Sequence, residues 1–514
     1  MRRPDNQTHK NASRKEAREP ARSKPLRGLI VLTLLIFSGL VLCGCALVGP
    51  DYTPPEANAP AQWHTPLEDG LTSDALTPES LAAWWTVLGD PLLDTLEQRA
   101  IAGNLDLKAA TARVREARAL RGISEAALQP NLDGQAAASR SRSSSETGTG
   151  IETDFYTVGF DAGWELDVFG GRQRAVEAAQ AGLEASQAGL RDVLVSLTAE
   201  TGLSYVDVRT GQARLAAAMA NIASLEQTYD LNLSRYQAGL VDELPVKQSL
   251  YILEHTRSQI PSLQAGLAAA RNRLAVLLGQ DPGTLDDELV QTRSVPVPPP
   301  AVAVGVPADA LRRRPDIRKA ERTLAAATAG IGVATSALYP KFRLFGSIGL
   351  ESLSLENLPE WASRTWGMGP SVSWKLFDAG AIRQNIAVMD ARQEQALIQY
   401  QGAVLGALEE VENAMVAYVR EQDRRDSLER ATTAACQAEL LARDRYKIGL
   451  VDFNNVLEAQ RSRLSFQDEL VRSQGQVTAG LIRIYKALGG GWQSMAETPE
   501  DKPTPWSKRW TLNH

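Results

Sequence analysis

The segment Arg235-Tyr236-Gln237-Ala238-Gly239-Leu240-Val241-Asp242 returns 210 residues later as Arg445-Tyr446-Lys447-Ile448-Gly449-Leu450-Val451-Asp452, and that recurrence decides the architecture. The same spacing relates Asp106 to Asp316, Pro130 to Pro340, Trp164 to Trp374, Leu166 to Leu376, Gly170 to Gly380 and Leu278-Gly279 to Leu488-Gly489. One constant offset without a gap means duplication, so the chain reads as two similar halves. They occupy residues 91–280 and 311–492. Between them, residues 281–310 hold Val295-Pro296-Val297-Pro298-Pro299-Pro300, which cannot continue a helix and suits an extended crossover.

Upstream of each quoted segment lies a long run without proline, about 172–236 and about 383–446. At ~1.5 Å per residue, such a run makes a helical rod of roughly 100 Å. Leu183, Leu190, Leu194, Leu197, Val208, Leu215, Ala218, Ile222, Leu225, Tyr229 and Tyr236 keep an alternating three-and-four register, broken by Gln187, Thr201, Ser204, Gly211 and Asn232. That is coiled-coil spacing. The Ala and Gly residues flanking it let neighbouring helices approach on more than one side, so a wall of parallel rods is expected. Downstream of each segment a return helix is expected, about 243–278 and about 453–488. The segments themselves are then the far tips of the rods. Gly239 and Gly449 fit the left-handed position after a helix, and Asp242 and Asp452 fit caps for the return helices.

Just before each rod the chain alternates with period two. Tyr156, Val158, Phe160, Ala162, Trp164, Leu166 and Val168 oppose Thr157, Gly159, Asp161, Gly163, Glu165 and Asp167. In the second half Trp366, Met368, Pro370, Val372, Trp374 and Leu376 oppose Thr365, Gly367, Gly369, Ser371, Ser373 and Lys375. A barrel strand that crosses a membrane needs about 9 to 11 such residues, lipid on one side and water on the other. Hairpin partners over 131–141 and 341–352 alternate less cleanly. Trp164, Trp366 and Trp374 are candidates for an interfacial girdle. Four strands cannot close a membrane barrel, and an open edge in lipid leaves backbone groups unpaired. Two chains make eight strands around a filled lumen and three make twelve around a pore, so a conduit favours the trimer.

The amino terminus carries nine Lys and Arg residues through Arg27 and then the apolar run from Leu29 to Leu42, too short for a membrane helix. It reads as an export signal over 1–44, with Leu42-Cys43-Gly44-Cys45 forming a lipobox and Cys45 the expected acylation site. Residues 45–90 then read as an anchor and extended segment, and 493–514 as a loosely held tail. Losing nine basic and three acidic residues with the signal takes the net charge from −6 to −12, which disfavours a nucleic-acid partner. Past Cys45 only Cys436 remains, so no disulfide within the chain and no thiolate metal cluster is expected. The four histidines, His9, His64, His255 and His514, are scattered, and neither a nucleophile elbow nor a phosphate loop is present. An enzyme is not expected.

Five motifs point further: Ala46-Leu47-Val48-Gly49-Pro50-Asp51-Tyr52, Trp85-Thr86-Val87-Leu88-Gly89-Asp90-Pro91, Leu166-Asp167-Val168-Phe169-Gly170-Gly171, Arg313-Arg314-Pro315-Asp316-Ile317-Arg318-Lys319-Ala320-Glu321 and Tyr485-Lys486-Ala487-Leu488-Gly489-Gly490-Gly491-Trp492. On these the chain resembles the outer-membrane factors of tripartite efflux systems, the TolC-like family, and especially its NodT-like lipoproteins. The resemblance covers nearly all of the mature chain. It implies a mainly α fold with membrane β: a homotrimeric 12-stranded barrel, four strands per chain, continued by a long coiled-coil tunnel with two repeats per chain. It also implies a passive exit duct for small molecules such as drugs and toxic compounds, with no cofactor.

Further implications concern place and partners. Ala46 after the anchor implies sorting to the outer membrane, with the chain lipid-anchored and extending into the periplasm. The implied partners are two further copies, a periplasmic adapter, an inner-membrane pump of the RND or another type, and outer-membrane lipid. In such proteins the tips close the tunnel and meet the adapter, here through Gly239, Leu240, Val241, Gly449, Leu450 and Val451. Glu458 matches a carboxylate that rings the constriction in relatives. Asn455 stands where TolC has a further acidic ring, and Val451 where it has an Arg. The gate expectation therefore rests on Tyr446, Asp452 and Glu458, with Asp242 beside them. The alternatives are the outer-membrane component of type I protein secretion and a structural trimeric surface protein.

Overall fold

The computed structural model describes residues 47–56 and 59–493. The expected signal segment, the anchor Cys45 and nearly all of the expected tail lie outside the described residues. Two elements dominate: α4, Gly171–Gln237, and α8, Ala381–Lys447, each 67 residues long. Their starts and ends are offset by the same 210 residues as the sequence repeat, and at ~1.5 Å per residue each spans roughly 100 Å. Each enters after a glycine in the left-handed region, Gly170 and Gly380. Nearby carboxylates accept from the free amides of the first turn, Asp167 from Arg172 and Gln173, and Asp378 from Ile382. The return helices α5, Leu244–Leu277, and α9, Phe453–Ala487, pack back along them.

Ahead of the strands each half has two helices. These are α2, Pro91–Gly103, and α3, Leu105–Ala126, in the first half, and α6, Pro307–Arg313, and α7, Pro315–Ser336, in the second. The break falls where Asn104 caps α3, its Oδ1 accepting from Leu107 N at 2.9 Å, and where Pro315 excludes an intrahelical amide. The segment expected to be extended over 45–90 also folds in part. It holds a two-residue strand β1, Leu71–Thr72, a short helix α1, Pro78–Ala82, and a 3-10 turn, Trp84–Leu88. A Pro at the start of α1 and the bulk of Trp84, Trp85 and Leu88 against the core explain that ordering.

The main core sits at mid-height, where this segment, the crossover, both rods and the upper return helices meet. Trp84, fully buried, stacks on Tyr485 at 5.6 Å and meets Trp85 edge-on at 5.8 Å. Leu93, Leu96, Leu194, Leu274, Leu278, Tyr418, Leu481 and Ile484 fill the same cluster. The crossover is pinned to it. Its strand β4, Val302–Ala303, runs parallel to β1, Thr478 donates to the Pro296 carbonyl at 2.6 Å, and buried Arg209 donates to the Gln291 carbonyl at 2.8 Å.

Candidate functional site

Two regions carry the candidate function: the strand sheet at one end of the rods and the turns at the other. The sheet holds four antiparallel strands in the order β2, Asn131–Arg142; β3, Glu152–Leu166; β5, Lys341–Ser352; and β6, Arg364–Ser373. Both expected alternating strands therefore end sooner than their pattern does, leaving Val168, Trp374 and Leu376 beyond them. The expected hairpin partners are strands as well. Residue pairs such as Ala136 with Val158, Phe160 with Ile348, and Ile348 with Trp366 join residues of even number throughout. Parity is kept across all three ladders, so one face consists of even-numbered residues only.

That face carries Leu132, Ala136, Val158, Phe160, Trp164, Phe342, Leu344, Ile348, Trp366, Met368 and Val372, with small Gly134 and Ala138 between. Phe160, Ile348, Trp366, Met368 and Val372 stand more than half exposed in the single chain. The other face carries Asn131, Asp133, Gln135, Thr157, Asp161, Glu165, Arg343, Ser347, Glu351 and Ser371. Water and lipid are thereby separated by the sheet. Toward one end the apolar band stops at the Arg140–Asp154 pair, 2.6 Å, and at the opposite end the indoles of Trp164 and Trp374 each donate to a helix-end carbonyl, Leu128 and Leu338, at 2.9 Å. The eleven residues of β3 from Tyr156 to Leu166, tilted by about 45°, cover roughly the 25 Å band of a membrane barrel. Trp366 lies nearer the other end of its strand, so the three expected girdle residues occupy two levels.

At the far tips both rods end alike. Gly239 and Gly449 have φ of +71° and +75°, and Leu240 and Leu450 donate back to the carbonyls of Arg235 and Arg445 at 2.9 Å. Glycine supplies this left-handed turn without a Cβ penalty. Leu240, Ile448 and Leu450 project outward, all more than two-thirds exposed. The capping expectation for the aspartates holds only in part. Asp242 accepts from Leu244 N at 3.1 Å, whereas Asp452 occupies the cap position of α9 without a side-chain cap bond.

The expected gate residues fall into two groups. Asp242, Asp452 and Glu458 are exposed. Tyr446 is buried inside the protomer, where its hydroxyl donates to Asn232 Oδ1 at 3.0 Å and its ring packs on Phe453 at 5.3 Å. Arg235 lies over that ring at 4.6 Å and donates to the Tyr446 carbonyl at 3.0 Å. Burial raises the Tyr446 hydroxyl above its usual range, with Arg235 opposing, so it remains a donor at neutral pH. Tyr446 therefore ties the second hairpin to the first rather than to a carboxylate. A second polar contact lies above it. Fully buried Gln460 donates to Thr228 and Glu439, and Glu439 pairs with Arg463. Asn232 was visible in the sequence only as a polar break in the apolar register, and Gln460 and Glu439 gave no signal.

A greasy-outside, wet-inside sheet joined to 100 Å rods with hairpin tips narrows the comparison to membrane ducts. The model of the family described as outer membrane efflux protein matches residues 96–280 and 306–490. The chain belongs to that family. The two matched segments are themselves 210 residues apart, so each half is one family unit. Nodulation protein T of Rhizobium leguminosarum bv. trifolii is 34% identical over 458 residues, covering 87% of this chain and 95% of that one. Cation efflux system protein CusC of Escherichia coli O6:H1 is 30% identical over 449 residues, covering 86% and 95%. Among solved structures, the outer-membrane channel OprN superposes with a TM-score of 0.81 at 36% identity, covering 87% of this chain and all of that one. The fold of this efflux protein is thus mainly α with membrane β, the barrel-and-tunnel fold of trimeric outer-membrane efflux channels. It is an outer-membrane channel that extends into the periplasm.

Proposed function

We propose that this efflux protein is the passive exit duct of a tripartite pump, working as a homotrimer that carries small molecules such as drugs and other toxic compounds. One observation carries the reading: a four-stranded sheet, apolar on one face and polar on the other, has two unpaired edges and continues into rods long enough to reach across the periplasm. Only closure with other copies satisfies those edges in lipid, and three copies leave room for a pore. The chain's own part is to hold the path open or shut. Work would be done by an inner-membrane pump of the RND or another type, reached through a periplasmic adapter that meets the tip turns at Gly239, Leu240, Val241, Gly449, Leu450 and Val451. Their exposed leucines supply an apolar docking surface.

Selectivity belongs at the tip. Three copies each of Asp242, Asp452 and Glu458 around one axis would concentrate negative potential and favour cations. Tyr446 acts from within the wall, holding the second hairpin against the first. Cys45 carries the acyl anchor. The test is single-channel recording of the purified protein in a planar bilayer. Wild type should conduct with cation preference, and Glu458→Gln should reduce that preference with the fold intact. Absence of conductance would sink the duct, and unchanged selectivity would sink the ring.

A further inference from the structure

The pairing that keeps even-numbered residues on the apolar face puts odd-numbered ones on the polar face, and closure with the apolar side to lipid turns that polar face to the bore. Its charges are ordered along the strands. At the helix end β5 supplies Lys341 and then Arg343, the latter in one row with Glu165 and Ser371. Two rows outward Asp133 stands directly opposite Asp161, in one row with Ser347 and Gly367. Acids at the helix end are already engaged: Glu165 accepts from Arg172 at 2.9 Å, and Asp378 accepts from the amides of Gly380 and Ile382 at 3.0 and 2.8 Å. Lys341 and Arg343 form no ion pair among the described residues. The base of the bore is therefore left cationic and the next stretch anionic. Arg343 is bedded in the wall. Gly163, one row outward on β3, leaves the space: a Cβ there would stand 2.6 Å from Arg343 Nη2 and 2.8 Å from Asn131 Oδ1. The guanidinium thus lies across β3, in the row next to the two aspartates, and Asn131 on its far side donates to Asp133 Oδ2 at 2.6 Å. Like charges directly opposite destabilise a ladder, so strand pairing gives no reason for Asp133 to face Asp161; a field in the bore does.

We infer that Arg343, with Lys341 behind it, forms a cationic collar at the inner mouth of the barrel, and that this collar, set against the carboxylates of Asp133 and Asp161, selects among cargo by charge independently of the tip. The inference rests on the trimeric duct reading above. Two residues from each of three copies put six charges of one sign in each collar. Adjacent rows on one face are roughly 7 Å apart, within the ~8 Å Debye length of physiological salt, so salt does not erase the step. A barrel wall of low dielectric concentrates it further. Anionic groups on a small molecule meet attraction at Arg343 and a barrier at the aspartates. Cationic groups meet the two in the opposite sense.

Reversal potentials of the purified full-length protein in a planar bilayer under a salt gradient test the collar. Arg343→Gln should raise the cation-to-anion permeability ratio roughly twofold, Arg343→Lys should leave it at the wild-type value, and Asp161→Asn should lower it. The same pattern should appear in a Glu458→Gln background, because the collar and the tip lie in series at opposite ends of the duct. An unchanged ratio in Arg343→Gln, an equal change in Arg343→Lys, or disappearance of the pattern in the Glu458→Gln background overturns the collar. Lys341→Gln and Asp161→Asn, which must move the ratio in opposite directions, decide the matter where Arg343→Gln does not assemble. Wild type that fails to conduct overturns the duct reading itself. Wild type that conducts and responds to Glu458→Gln alone overturns only the collar.

Discussion

Single residues in this channel matter most where polar groups are buried between helices. The Tyr446 hydroxyl and Asn232, both buried, satisfy each other across the two hairpins. Tyr446→Phe keeps the ring against Phe453 and under Arg235 but leaves the Asn232 oxygen short of a donor. The expected cost is about 1–2 kcal/mol, read as a lower melting temperature and more frequent open events in single-channel records. Glu97 is the opposite case. It lies on the buried face of α2 with Leu93, Leu96 and Ala100, and its carboxylate oxygens find no hydrogen-bond partner among the described residues. Burial, assisted by Asp94, raises its pKa well above 4.5. The folded chain therefore keeps a proton that the unfolded chain loses as pH rises past its own ordinary carboxylate pKa. Stability on this account falls with rising pH until the folded pKa is reached. Glu97→Leu should melt higher than wild type at pH 8 and show a flatter melting profile between pH 5 and pH 8. Equal slopes would show that Glu97 contributes nothing to the dependence.

Elements are held by a few specific clasps. The strap from Leu47 to Tyr52 lies along the tops of α4 and α7, where Arg174, 3% exposed, pairs with Asp51 at 2.6 Å and donates to the Val48 carbonyl at 3.2 Å. Gly49 sits so close to Gly332 that a Cβ would fall 2.4 Å from the Gly332 Cα, and its φ is +86°. Leu47 rests on Gly170 at the start of the rod, level with the foot of the strands. Arg174→Met removes the ion pairs and strap contacts while keeping the bulk, and leaves Val48 and Asp51 without their partner. A loss of about 1 kcal/mol in local stability is expected, because Asp51 is largely exposed and solvent takes over its charge, seen as faster proteolysis near residues 47–52 with the rods still protected.

For the whole molecule, the decisive constraint is backbone satisfaction in lipid. Assembly then follows from the sheet edges and the uncovered rod faces, while the acylation proposed at Cys45 would add membrane affinity. Cys45→Ser should therefore lose the acyl mass in mass spectrometry yet retain a trimer in detergent, β-signal in circular dichroism and conductance in bilayers. Loss of the trimer in that variant would make the anchor, rather than the edges, the organiser. The long rods contribute less independent stability away from the main core, because their lower thirds are joined by the smaller cluster around Leu253 and Phe453 and by the Tyr446 and Gln460 junctions. Opening is expected to begin at the tips, which lie outside the main core and are held by a smaller apolar cluster of their own.

The duplication, the two rods, the alternating strands and the turns at Gly239 and Gly449 were legible because each is a local pattern with a fixed period, 210, 3.5 or 2, or a backbone demand that glycine alone meets cheaply. Side-chain partners were not legible. Tyr446 reads in sequence as a tip residue of the gate, and only the fold gives its partner, Asn232 of the other rod. The strands β2 and β5 alternate too weakly to assign from their own residues, and only pairing with β3 and β6 fixes which of their faces meets lipid. Glu97 looks like an ordinary charge on a short helix until α2 packs on rod α4 beside Gly202 and Trp84 and buries it. Period is a property of the chain taken alone, whereas burial and partnership depend on which distant segments arrive, and those arrive only in the folded channel.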